Sequence, residues 1–315
     1  MSTGSKVQNK IVSQEQWLAA RKELLTAEKE FTRQRDALST KRRELPWVKL
    51  EKNYLFDARN GKVSLSELFR DKSQLIVYHF MLGPGWEQGC PGCSFLGDHF
   101  DGSLVHLNAR DVAFSAISRA TMPEITTFKN RMGWHFPWVS SNQNEFNFDY
   151  HVSFTKDQRA KGKVQYNYAE REFPSEEGPG LSVFHKNAAG EIFHTYSTYA
   201  RGLDILLGAY NFLDMTPKGR DEASLAHAMA WVRHHDRYDN GYQFDPSASY
   251  QPPKTTNAQR KSGDCCHDQH TQPYSQLQNC FCGGGISMKC KAFGGLAAAA
   301  KKRRAADSRM AFGMS

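Results

Sequence analysis

The run QLIVYHFM, residues 74–81, constrains the fold more than any other stretch of the chain. It is almost wholly aliphatic and aromatic, and it offers water no polar face. A strand of this kind belongs inside a sheet covered on both sides, the usual setting of parallel strands. VAFSAIS (112–118) repeats the pattern. Between and after these runs lie helix signals: residues 98–108, then PEITTFKNRMG (123–133), with Pro in its first turn and Gly at its end. FPWVSS reads as extended. LSVFHK (181–186) and GEIFHTYS (190–197) flank the tight NAAG segment, a hairpin signal. Residues 201–215 and 221–238 read as helices. The second has Leu225, Ala228, Met229 and Val232 on one side and His234 and His235 on a solvated face. Strands alternating with helices, closed by a hairpin, predict an α/β layered domain with a mixed central sheet over 47–240.

Before that domain, residues 14–44 predict one long helix, an arm over 1–46. Ser13 and Gln16 fit a capping box. Trp17, Leu24, Phe31 and Leu38 recur every seven residues, with Ala20 and Ala27 beside the first two. The favoured expectation is a helix packed across its own domain; the sharper one is a dimerising arm that makes a homodimer. Pro46 ends the helix. WVKLEKNYLF is strand-like, Asn60-Gly61 marks a turn, and VSLSELF starts a short helix. After the domain, 241–264 is a polar linker. Residues 265–315 form a Cys- and His-rich, basic, low-complexity tail, expected to be a disordered extension.

The chain of 315 residues carries a net charge of +8, with 41 Lys and Arg against 33 Asp and Glu. Part of that excess sits in KKRR (301–304), so nucleic acid is not an expected partner. No apolar stretch approaches the length of a membrane span, and the first residues lack the apolar core of a secretion signal. The expected location is the cytoplasm, with its reduced thiols.

Seven cysteines are unevenly placed: Cys90 and Cys93 in the domain, and Cys265, Cys266, Cys280, Cys282 and Cys290 in the tail. Cys90-Pro91-Gly92-Cys93 falls where a buried strand ends and a helix begins. A helix N-terminus favours an anion there and lowers a thiol's pKa. The spacing lets one thiolate attack a disulfide and the other resolve the mixed disulfide. Cys90 is then the nucleophile and Cys93 the resolving thiol, with Pro91 and Gly92 tuning the pair and Trp86 near it. No cofactor is needed for that chemistry. A structural zinc requires two further ligands, and no cysteine lies between 94 and 264. His79 reads as a core histidine. Trp86, Trp134 and Trp138 fall near the site, where at least two read as core and a substrate-facing rim is the alternative; HTYSTYARG (194–202) reads as the end of a strand and start of a helix, with Tyr196, Tyr199 and Arg201 lining a cleft as the alternative. The tail is a separate matter. Cys265, Cys266, His267, His270, Cys280, Cys282 and Cys290 are ligand types that zinc or copper would take. This keeps open a metal-binding or redox-sensing protein on the same scaffold, or a tail thiol that resolves Cys90.

WLAARKELL, LPWV, YHFMLGPGWEQGCPGCSF, RMGWHFPWVSS, HTYSTYARG and WVRHHDRY resemble an uncharacterised family of bacterial thioredoxin-like proteins described as predicted dithiol–disulfide oxidoreductases. The order of elements around the cysteines resembles the peroxiredoxin-related branch of the thioredoxin fold. The resemblance implies a three-layer thioredoxin-like fold and disulfides or thiols, on proteins or small molecules, as partners. It also implies that Pro179 faces the redox pair, preceding a strand in a cis Gly178-Pro179 bond. The sequence departs from thioredoxin in C-P-G-C order and in the inserted LGPGWEQG. A peroxiredoxin would carry Thr or Ser three residues before its reactive cysteine. Here those positions hold Glu87 and Cys90, so peroxidase activity is expected to be weak at most.

Overall fold

Ser13 and Gln16 cap the first element reciprocally, with the Gln16 N–H on Ser13 Oγ at 3.3 Å and the Ser13 N–H on Gln16 Oε1 at 3.1 Å. From that cap α1 runs over Gln14–Arg43. In the computed structural model, which describes residues 9–238, no residue of α1 is buried. Trp17, Leu24, Phe31 and Leu38 are each about half exposed or more. This corrects the expectation of a helix packed across its own domain. The stripe is narrow, and its flanks are held within the helix by Arg21–Glu28 and Arg33–Glu30 pairs at 2.8 Å.

The domain begins with β1 (Val48–Lys49), β2 (Leu55–Ala58) and β3 (Gly61–Ser64). Asn60-Gly61 turns β2 into β3, with Gly61 at φ +120°, a conformation that suits glycine. A second capping box, Ser64 with Glu67, starts α2 (Leu65–Leu68). Then come β4 (Gln74–His79), α3 (Pro91–Gly97), α4 (Asp101–Ala109), β5 (Val112–Ser118), α5 (Met122–Arg131) and β6 (Trp138–Ser140). The segment that follows holds α6 (Phe146–Asp149), α7 (Lys156–Ala160) and a small hairpin of β7 (Val164–Tyr166) and β8 (Ala169–Arg171). The chain returns through β9 (Gly180–Lys186) and β10 (Ile192–Tyr199), a 3₁₀ helix over Ala200–Leu206, and α8 (Gly208–Leu213).

The main sheet has the order β1-β10-β9-β4-β5-β6-β2-β3. β4, β5 and β6 are parallel, as the apolar runs predict. β9 lies antiparallel on the other side of β4, and β10 antiparallel on β9. Parallel strands joined by helices on one side of β4, and an antiparallel hairpin on the other, make a thioredoxin-like fold. Alternate residues of β4 enter different cores. Tyr78 joins one with Phe95, Phe128 and Trp138; Leu75 and Val77 join the other with Phe146, Tyr150 and Phe184. Trp134 and Trp138 are buried and Trp86 is partly so, which meets the expectation that at least two of the three are core. The second core is capped largely by residues 146–166, a stretch with no periodic signal of its own.

Two expectations near the end of the domain are corrected. Residues 201–215 split into the 3₁₀ helix and α8, and 221–238 form no long helix. Side chains take that strap out of helical geometry. Glu222 Oε1 accepts from Tyr210 Oη at 2.6 Å, Met229 N at 2.9 Å and Trp231 Nε1 at 2.6 Å. Asp221 and Met229 both sit at positive φ. His234 is buried rather than solvated, because its Nε2 donates to Gly89 O at 2.9 Å. The linker 241–264 and the tail 265–315 lie outside the described residues.

Candidate functional site

β4 delivers the chain to the site edge of the sheet, and residues 82–89 fold back so that α3 starts beside it. Cys90 N donates to Met81 O at 3.0 Å, and Met81 N donates to Cys93 Sγ at 3.4 Å. This rung holds both cysteines against the end of the strand. The loop is fixed from several sides. Gly85 N donates to Glu124 Oε1 at 2.8 Å, and Trp86 Nε1 to Glu176 Oε1 at 2.9 Å. Gln88 Oε1 accepts from Arg131 Nη1 at 2.7 Å. Gly89 has no room for a side chain: a Cβ there would lie 2.5 Å from the Phe80 ring and 2.8 Å from that of Phe128.

Cys90 is the N-cap residue of α3, with Pro91 in the first turn, where its missing N–H costs nothing. Both cysteines are free thiols; Cys90 is half-buried and Cys93 buried. The environments separate their acidities. Contact with Cys93 holds the Cys90 thiol below its ordinary pKa against the cost of burial, and the N–H groups of Cys93 and Gly92 add to this. Burial pushes the Cys93 thiol well up, and a Cys90 charge pushes it further. Of the groups around Cys93, the Tyr78 hydroxyl and the Met81 N–H oppose that rise.

Pro179 directly precedes Gly180, which pairs with His79 at the end of β4. It therefore stands at the same edge of the sheet as the loop leading to Cys90. The expectation of a cis Gly178-Pro179 bond is corrected: no peptide bond among the described residues is cis. The preceding backbone is committed elsewhere. Gly178 N donates to Val152 O at 2.8 Å, and Glu177 pairs with Ser153. Tyr166 ties this corner to the dithiol. Its hydroxyl donates to Pro179 O at 2.7 Å, and charge on Cys93 helps raise its pKa, after burial. The neighbouring Glu177 is buried and takes Arg119 Nε on Oε1 at 2.7 Å and Ser153 Oγ on Oε2 at 2.6 Å. Burial pushes the Glu177 carboxyl up to about 7 despite that guanidinium.

The strap forms another wall. Met229 and Cys90 pack on the same core, and Met229 Cε would lie 3.3 Å from a Cβ built on Gly92. Met229 also lines a cavity of about 520 Å³ with Arg220 and Glu222. The charges there are matched, Arg220 holding Asp214 at 2.7 Å and Asp204 at 3.2 Å.

The nearby histidines are engaged elsewhere. His79 Nε2 meets Ser182 Oγ at 2.8 Å, as a core histidine should. His99 Nδ1 pairs with Phe95 O, and its Nε2 accepts from Ala209 N. Among the described residues no group of three or more His, Cys, Asp or Glu side chains converges as a metal set. The tail set of Cys265, Cys266, His267, His270, Cys280, Cys282 and Cys290 lies outside them.

A family model described as a bacterial protein of unknown function, DUF899, matches residues 6–238. The chain belongs to that family. Among curated proteins, none matches it significantly. Solved structures similar to it include a Cys-to-Ser variant of PrxQ from Xylella fastidiosa, at 14% identity, covering 53% of this chain and 94% of that one, with a TM-score of 0.35. Another is the peroxidoxin BcpB from Mycobacterium tuberculosis, at 12% identity, covering 52% and 94%, with a TM-score of 0.35. A third is a yeast mitochondrial 1-Cys peroxiredoxin, at 15% identity, covering 52% and 74%, with a TM-score of 0.31. Superpositions this loose say nothing of chemistry, which rests on the residues of this family member.

Tyr78 and Tyr166 gave no separate signal in the sequence, and Met229 read only as part of an apolar helix face. Tyr78 had one weak mark: period-2 alternation puts it on the face of the strand shared with Ile76 and Phe80. Tyr166 and Met229 reach the site through a hairpin and a strap that local periodicity does not describe.

Proposed function

We propose that this chain is a thiol–disulfide oxidoreductase in which Cys90 attacks and Cys93 resolves. The observation that carries the reading is the asymmetry of the pair: a half-buried Cys90 with a lowered pKa at a helix N-terminus, next to a buried Cys93 with a raised one. The Cys90 thiolate attacks one sulfur of a substrate disulfide, and the other leaves as a thiolate. Cys93 then loses its proton and attacks Cys90 Sγ, breaking the mixed disulfide and releasing the second substrate thiol. The substrate gains two electrons, and the Cys90–Cys93 disulfide holds the oxidation. Protein or small-molecule disulfides are the proposed partners, and the pair needs no cofactor for these steps.

The test is alkylation of Cys90 against pH, together with reduction of an aromatic disulfide reagent. A Cys90 pKa well below about 8.5 is expected. So is loss of reduction in Cys90→Ser and a trapped mixed disulfide in Cys93→Ser. Reduction that survives Cys90→Ser would overturn the reading. Turnover of hydrogen peroxide at a rate exceeding disulfide reduction would move it to a thiol peroxidase.

A further inference from the structure

We infer that the chain also reduces methionine sulfoxide, and that its first substrate is its own Met229. The inference rests on the dithiol reading above and adds a second kind of substrate for the same pair.

The placement of Met229 carries it. A Cβ built on Gly92 would stand 3.3 Å from Met229 Cε, 3.9 Å from Met229 Sδ and 3.7 Å from Cys90 Sγ. The two sulfurs thus flank one point beside the first turn of α3. Any side chain at position 92 would crowd the Met229 methyl, so the C-P-G-C order sets its glycine against the thioether. The backbone is held in place as well. Met229 has φ +66°, in the left-handed region that non-glycine residues rarely adopt, and its N–H donates to Glu222 Oε1 at 2.9 Å. Strain of this kind persists only where the surroundings impose it, and it gathers at working sites.

Met229 is also within reach of an oxidant. It is half-buried and lines the cavity of about 520 Å³ together with Arg201, Tyr210 and Arg220. Hydrogen peroxide entering that cavity meets the thioether. The sulfoxide oxygen formed there accepts hydrogen bonds, and these side chains carry donors. Of the pair, Cys90 is the half-buried thiol, so Cys90 is the one placed to meet Met229.

The steps balance. Hydrogen peroxide gives one oxygen atom to Met229 Sδ and leaves as water; the thioether becomes a sulfoxide, a polar group in place of an apolar one. The Cys90 thiolate attacks Sδ, an Sγ–Sδ bond forms, and the oxygen takes up two protons and leaves as water. Those two protons replace the ones the two thiols give up. Cys93, as a thiolate, attacks Cys90 Sγ. Cys90–Cys93 forms, the Sγ–Sδ bond breaks, and its electron pair returns to Sδ. The sulfoxide gains two electrons and the dithiol loses two.

The experiment uses the full chain. Its thiols are oxidised with diamide and its methionines then with hydrogen peroxide. The disulfides are reopened with dithiothreitol, the protein is desalted, and peptide mass spectrometry follows each methionine over time. Met215, 75% exposed, is the internal control. Met229 sulfoxide is expected to disappear roughly tenfold or more faster than Met215 sulfoxide, because groups held together react at high effective concentration. The rate should not change on dilution, and Cys90–Cys93 disulfide should form in equal amount. In Cys90→Ser, Met229 sulfoxide should persist like that of Met215. Loss at the Met215 rate, equal loss in Cys90→Ser, or a Met229 left unoxidised when Met215 is fully converted would overturn the inference. Reduction of an aromatic disulfide reagent by a sample never exposed to peroxide separates the two readings. Reduction of the reagent alongside a persistent Met229 sulfoxide removes the self-repair and leaves the dithiol enzyme; failure of both removes both.

Discussion

Tyr78 shows how one buried hydroxyl can serve a thiol. It lies 1% exposed on β4, with Cys93 close enough to its hydroxyl to raise its pKa beyond what burial does. Burial raises the pKa of both groups, so each is protonated at rest. On the proposed mechanism, in which Cys93 becomes a thiolate to resolve a mixed disulfide, the Tyr78 O–H can donate to it. A hydrogen bond to a charged group contributes about 1.5–3 kcal/mol, so its loss should be visible in rate. Tyr78→Phe is expected to slow resolution of a Cys90 mixed disulfide by roughly tenfold or more at pH 7, while the alkylation pKa of Cys90 moves little. Stopped-flow release of the second thiol measures this; an unchanged release rate would show that Tyr78 serves packing alone.

At the scale of elements, α1 and the strap behave in opposite ways. α1 is a long, well-capped helix that buries none of its residues. It meets the sheet through Arg42, which lies over the Tyr196 ring at 5.7 Å. A chain beginning at Leu45 should therefore keep its melting temperature within about 4 °C, the effect of roughly 1 kcal/mol in a domain this size. Its Cys90 reactivity should also be unchanged. A fall of 10 °C in differential scanning calorimetry would show that α1 belongs to the core. The strap has little regular structure but is pinned by Glu222, His234 and Arg131, whose Nη2 and Nε hold Asp236 at 2.9 Å. Long-range side-chain bonds, not helical periodicity, decide its course.

For the whole molecule, two buried histidines set a limit on the acid side. Burial lowers the His79 pKa to about 3 and the His234 pKa to about 4. His234 Nδ1 accepts from Arg131 Nη2 at 3.2 Å, and a second ring proton would face that guanidinium. His79 Nδ1 has no hydrogen-bond partner, and the ring stacks on Phe146 and Tyr150. Both folded pKa values lie below the unfolded value of about 6.5, so the unfolded chain binds more protons as pH falls. Their contribution to stability is complete above about pH 6.5 and is lost as pH drops toward 3–4, at up to ~1.4 kcal/mol per pH unit for each ring. Urea unfolding between pH 7 and pH 5 should show this decline. In His79→Phe the slope should be smaller by about 1 kcal/mol per pH unit. An identical slope in the variant would mean that His79 is charged or exposed in the folded protein.

The sequence by itself determined what short-range chemistry controls. The apolar run around Val77 required an interior strand, Ser13 and Gln16 set the start of α1, and Cys90-Pro91 placed a thiol at a helix N-terminus. Each of these depends on neighbours within a few residues, where periodicity and capping act. Tertiary structure alone decided the rest. It left the Trp17 stripe uncovered and Gly178-Pro179 trans. It buried His234 on Gly89 O and brought Tyr78 and Met229 into the core that holds the two sulfurs. Those outcomes depend on contacts between residues up to 145 positions apart, and local patterning carries no record of which distant group will satisfy a buried polar atom.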